Sequence, residues 1–343
     1  MKRERIIYPL MIATVFVFAS CGLLSSTPDN SEEVITYEEI LFFRFTAREA
    51  QLCAMRPTGE DRRVILSRDY MDGIPQVPYD YITAKWSPDK RYIALIGGPN
   101  NFAGYYPITL LSSNGTTIRE LTSSSLNVIW YDNETIYYIK SAGTVYSQYN
   151  LYRMNIDDLN EELVYSQTDS TNISFAGFFD QTNWLATETI YSHDTSGTLT
   201  SSRGDIMSFN ITSREKDYLI QDETRIESSP LLSPNKQRIV FRQYPSDDTG
   251  LPPHNLYWFD LPDGNPQQLT FFTDFNVYQN GFYAWGPNSD RIAVTNPDPM
   301  VLEWNSEESS YSDIYLINLQ TGIVDTLTHG ARDGSNSYVL DWR

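Results

Sequence analysis

The chain has 343 residues, 41% of them apolar, with 24 Tyr and 16 Phe, which is ample for a large core and weighted toward half-buried strands. Its formal charge of −19, from 25 basic and 44 acidic side chains, excludes attraction to nucleic acid or to anionic lipid headgroups and favours cationic, neutral or peptide partners. An all-β architecture is the starting expectation.

At the N-terminus, Lys2, Arg3 and Arg5 precede an apolar run from Ile6 to Phe18, short for a bilayer span, and Ala19-Ser20 lead into Cys21. Residues 1–20 therefore read as an export signal. Their end, "FASC", resembles the lipobox of bacterial lipoproteins. The resemblance implies acylation of Cys21 and an extracytoplasmic protein, periplasmic or surface-exposed, lipid-anchored to the cell membrane or the outer membrane. Acyl chains contribute about 0.8 kcal/mol per buried CH₂, so several chains anchor permanently. The following "GLLSSTPDNSEEVIT" reads as a flexible tether ending at residue 36. With Cys21 lipidated only Cys53 remains, so no internal disulfide is available, and the setting "QLCAM" predicts a buried, inert thiol.

From residue 37 onward the sequence repeats itself. "KWSPDKRYIAL" is followed by "IWYDNETIYYI", "GFFDQTNWLATE", "LLSPNKQRIVF" and "AWGPNSDRIAV", with anchors at Trp86, Trp130, Phe178, Leu232 and Trp285. A β-prone residue follows six or seven places later, at Ile93, Ile136, Leu185, Ile239 and Ile292. Each string predicts a hairpin with a tight turn built on Ser, Pro, Asp or Asn. Two more alternating strands complete each unit, as in "DIYLINLQTG" followed by "VDTLT". The anchors recur at intervals of roughly 45 to 55 residues, close to the length of a propeller blade, and alternation at period two excludes helical solenoids. "EILFFRFTAREAQLCAMRPTGEDRRVILS" supplies three strands without an anchor, and "SYVLDWR" at the other end is an anchor strand without its followers. Residues 337–342 are therefore expected beside Ile40 to Phe45. The prediction is a six-bladed β-propeller over 37–343, four antiparallel strands per blade, closed by the C-terminal strand.

The "WSPD...IA" and "DIYLINLQTG" strings, with the closing "LT", resemble TolB-type propeller repeats, which also occur in the propellers of prolyl oligopeptidases. That resemblance implies the fold and leaves the function open. Oligopeptidases add a hydrolase domain bearing a G-x-S-x-G elbow, a string this sequence lacks.

A search for chemistry predicts no cofactor and no metal. His193, His254 and His329 stand alone, and acid pairs such as Asp157-Asp158 read as solvated turns. One asymmetry points to a surface. Of the connections between strands, the first-to-second and third-to-fourth turns are short, whereas the insertions gather in the other set, at 68–80, 97–106, 191–204, 244–254, 271–279 and 296–312. Long connections on one face of a rigid scaffold are where binding usually resides. Their candidate contact residues are Tyr79, Tyr105, Tyr106, Tyr191, Phe272, Tyr278, Trp304 and Tyr311, with the acids Asp247, Asp248, Glu307 and Glu308. Aromatic rings stack on sugar or peptide groups and carboxylates favour cations. The expectation is a monomeric, noncatalytic scaffold for an envelope protein, peptide or glycan, with no nucleic acid partner. The alternative is a cell-surface polysaccharide hydrolase or lyase using two or three carboxylates near the axis.

Overall fold

The structure, a computed structural model, describes residues 37–343 apart from Ala47 and the segments 70–80, 98–105, 123–124, 142–148, 168–171, 194–198, 246–253, 272–281 and 298–311. The predicted signal, Cys21 and the predicted tether lie outside the described residues.

Alternating apolar residues form strands wherever the repeats predicted them. The first three are β1 (Ile40–Phe45), β2 (Glu49–Met55) and β3 (Arg63–Asp69). Next come β4 (Tyr81–Trp86), β5 (Tyr92–Gly97), β6 (Ile108–Ser112) and β7 (Thr117–Thr122), then β8 (Asn127–Trp130), β9 (Thr135–Ser141), β10 (Tyr149–Asn155) and β11 (Glu161–Ser166). The middle of the chain holds β12 (Asn172–Phe178), β13 (Asn183–His193), β14 (Leu199–Asn210) and β15 (Lys216–Ile220), followed by β16 (Arg225–Leu232), β17 (Arg238–Pro245), β18 (Asn255–Asp260) and β19 (Gln267–Gln268). Last are β20 (Tyr283–Trp285), β21 (Arg291–Pro297), β22 (Ser312–Asn318), β23 (Val324–Thr326), one turn of helix α1 (Gly330–Asp333), and β24 (Asn336–Trp342).

Four sheets have four antiparallel strands each: β4 to β7, β8 to β11, β20 to β23, and β24-β1-β2-β3. The last brings the two ends of the chain together as expected, with Phe42 opposite Val339 and Ile40 opposite Trp342. Glu39 and Arg343 extend the junction by exchanging backbone hydrogen bonds at 2.7 and 3.1 Å. In the middle, β12 to β15 and β16 to β19 are two antiparallel groups of four. A parallel rung, Gly204 opposite Ile226, fuses them into one eight-stranded sheet.

The anchors end the first strand of each group. Trp86, Trp130, Leu232 and Trp285 stand opposite Ile93, Ile136, Ile239 and Ile292. In the fourth unit the turn after Phe178 is one residue shorter than the turn after Trp86, so Phe178 faces Trp184 and Leu185 pairs with Gly177, and Trp184 is the buried ring. The core lies between sheets. One apolar cluster joins Ala94, Ile96 and Leu110 to Val128, Trp130 and Tyr138, and another joins Ile40, Phe42, Val339 and Trp342 to Ala293, Ile314 and Leu316. Each of the six clusters packs one four-stranded group on the next.

Turn chemistry follows the sequence. Ser87 Oγ accepts the Tyr92 amide at 3.0 Å and donates to Asp89 Oδ1 at 2.7 Å, and Ser233 with Asn235 repeats the device. The fifth string has Gly286 in place of that Ser. The Trp342 ring explains it: a Cβ on Gly286 would lie 3.0 Å from the indole.

Candidate functional site

The first strand of each group, β4, β8, β12, β16, β20 and β24, contributes to one cavity of about 900 Å³. Alternation decides what each strand sends there. On β4, Ala84 and Trp86 join the core while Thr83 and Lys85 line the wall, and on β12 Ile173 joins the core while Asn172 and Ser174 line it. Toward the starts of these strands the wall is neutral and polar, with Asn127 and Asn172, and toward their ends it carries its charges.

Those charges are Lys85, Lys236, Asp341 and Arg343. Lys85 Nζ donates to Leu340 O at 2.6 Å and lies 3.8 Å from Asp341 Oδ1, while Asp341 Oδ2 accepts the Trp86 amide at 2.9 Å. Burial pulls the Lys85 pKa below its ordinary value, against the opposing pull of Asp341. Lys236 donates to Phe179 O at 2.8 Å and sits 4.8 Å from the Phe178 ring. Among the described residues Asp341 is the one side-chain carboxylate of the wall.

Behind the wall, β13, β14 and β16 carry three buried acids, Glu188, Asp205 and Glu227. Glu188 is held by Lys216 at 2.7 Å and by the Tyr218 hydroxyl at 2.5 Å. Glu227 precedes the wall residues Ser228 to Leu232. Burial pushes its carboxyl up to about 7, with Asp222 and Asp205 adding to the rise and the hydrogen bond from Gln243 opposing it. On the far side of that sheet Tyr244 and His254 stack with ring centroids 4.1 Å apart, and burial draws His254 down to about 4.

The predicted contact residues are distributed differently. Tyr106 is half-buried against the cluster between the second and third groups, and its carbonyl accepts the Ser125 amide at 2.8 Å. Tyr191 was expected in a loop. Instead it stands on β13 opposite Ser202, because the β13–β14 hairpin continues through most of 191–204 and leaves only 194–198 beyond the ladder. Tyr79, Tyr105, Asp247, Asp248, Phe272, Tyr278, Trp304, Glu307, Glu308 and Tyr311 lie outside the described residues. Sequence reasoning missed the wall residues Lys85, Asn127 and Asn172 and the buried acids. Strand parity was the available signal for the wall, since Thr83 and Lys85 fall on the face opposite to Ala84 and Trp86.

No family model matches the chain. The mouse (Mus musculus) acylamino-acid-releasing enzyme is 30% identical over 133 residues, covering 35% of this chain, and the match spans only 16% of that enzyme's length. TolB from Acinetobacter baumannii superposes with a TM-score of 0.63 at 15% identity, covering 89% of this chain and 66% of that one. A TolB structure from Agrobacterium tumefaciens gives 0.52 at 16% identity, with 88% and 98% covered. Identity this low makes the likeness one of architecture. The chain folds as a TolB-type β-propeller.

Proposed function

We propose that the protein is a noncatalytic, monomeric binding scaffold of the cell envelope, built as a six-bladed ring closed by β24 and tethered through a lipid on Cys21. The observation that carries this reading is the convergence of six first strands on one cavity. At about 900 Å³ it falls in the range of sites that enclose small or extended ligands. The neutral part of its wall, amides and hydroxyls beside rings such as Tyr149 and Phe282, suits a peptide or glycan segment of an envelope partner. Six apolar clusters, one between each pair of successive groups and one between the last and the first, support the six-bladed count.

The cavity is tested by filling it. Ser174 is exposed on the wall, so Ser174→Trp obstructs the space without entering the core. Partners captured from solubilised envelope by the wild-type protein are expected to be lost with this variant, and equal capture by both would refute the cavity as the site. For the anchor, Cys21→Ser is expected to abolish metabolic labelling by a palmitate analogue and to move the protein into the soluble fraction. Unchanged labelling would overturn the lipid assignment.

A further inference from the structure

The parallel rung between the fourth and fifth groups brings two acids together. With Gly204 opposite Ile226, the next residues on the two strands are Asp205 and Glu227, and both are fully buried. Asp205 Oδ2 is engaged by Arg203 at 2.8 Å and Gln221 at 3.4 Å, and Glu227 Oε1 accepts from Gln243 at 2.8 Å. The other oxygen of each carboxyl, Asp205 Oδ1 and Glu227 Oε2, is buried with no hydrogen-bond partner. An ionised carboxylate so placed is expensive, and a proton on Oε2 removes the charge and turns an orphaned acceptor into a donor. The seam is also tight: a Cβ on Gly204 would lie 2.4 Å from Glu227 O.

We propose that Glu227 is carried as the neutral acid in this seam and acts as a latch, its ionisation loosening β16 from β14 and with it the wall segment Ser228 to Leu232. That segment is poised to move. It bulges after Ser228, its Ser229 holds a left-handed φ of 53°, and the Tyr283 hydroxyl donates to Ser229 O. The regulatory consequence rests on the cavity being the binding site; the protonation itself does not.

The surrounding charges are Asp205 and Arg203 on β14, Asp222, Glu223 and Arg225 around the turn into β16, Arg242 on β17, and His254 just before β18. Arg225 reaches Gln243 Oε1 at 2.6 Å. Because the folded carboxyl titrates near 7, above the ordinary 4.5, its contribution to stability is present at low pH and is lost as pH rises between those values. His254 has the opposite sign: held neutral, it favours the fold above its ordinary 6.5 and loses that contribution as pH falls toward 4. Glu227→Gln in the full chain isolates the first effect, since both proteins retain His254.

The ratio of wild-type to Glu227→Gln unfolding constants is expected to rise about thirty-fold from pH 5.5 to 8.5. A ratio independent of pH overturns the proposal. Should the variant not fold, the ¹³C-labelled Glu227 carboxyl of the wild-type protein reads the same group directly. Titration near pH 7 supports the latch, and titration in the ordinary Glu range overturns it. Loss of partner capture would leave this titration untouched, so the two readings fail separately.

Discussion

Two junctions between neighbouring strands answer the same need in opposite ways. Where β24 meets β1, a ladder of six rungs is backed by Phe42, Val339 and Trp342, so the contact is dry and its backbone groups are paired. Where β14 meets β16, one parallel rung is backed by Asp205 and Glu227. The first junction rests chiefly on apolar burial, whereas the second depends on a proton. A repeat architecture can thus carry one adjustable seam while the others stay fixed, because each group packs mainly on its neighbours.

Removing residues 336–343 should break the first junction outright. The truncated chain exposes the edge of β1 and the cluster beneath it, and is expected to lose most of its stability; cooperative melting at the full-length temperature would contradict that. A smaller loss should follow from Gly204→Ala, which forces a methyl against Glu227 O in the second junction. We expect destabilisation of about 1–3 kcal/mol by denaturant titration, together with a weaker pH dependence than wild type, because the seam no longer closes on its acid. Smallest is Trp130→Phe. The indole N–H donates to Lys85 O at 3.0 Å across a dry seam, and losing it should cost about 1 kcal/mol at every pH. A pH-dependent loss there would erase the contrast between the two kinds of seam.

Most of the framework was legible in the primary structure because every unit repeats the same instructions. Trp86, Trp130 and Trp285 end their strands as predicted, and the tail "SYVLDWR" pairs where its missing partner required. Two local misreadings have physical causes. The turn after Phe178 is one residue shorter than the turn after Trp86, so Phe178 faces Trp184 and not Leu185. "IYSHDTSGTLTSSR" has the polarity of a loop, yet Ser192, Ser201 and Ser202 extend a hairpin. The site was less legible. Asp205 in "RGDIM" and Glu227 in "RIESS" look like ordinary solvated strand acids, and only the pairing of β14 with β16 shows that they share a buried seam. Lys85 likewise gives no hint in "AKWSPD" that its ammonium reaches Leu340 O, in a strand far along the chain.

The pairing of β1 with β24 also sets an order of events during synthesis. "ILFFRF" is among the first segments of the domain to emerge, and its partner follows about 300 residues later, so one apolar strand edge waits longer than any other for cover. Holding that edge apart from other copies until the last strand arrives is the task this topology hands to chaperones, and it makes the interval before completion the period of greatest aggregation hazard.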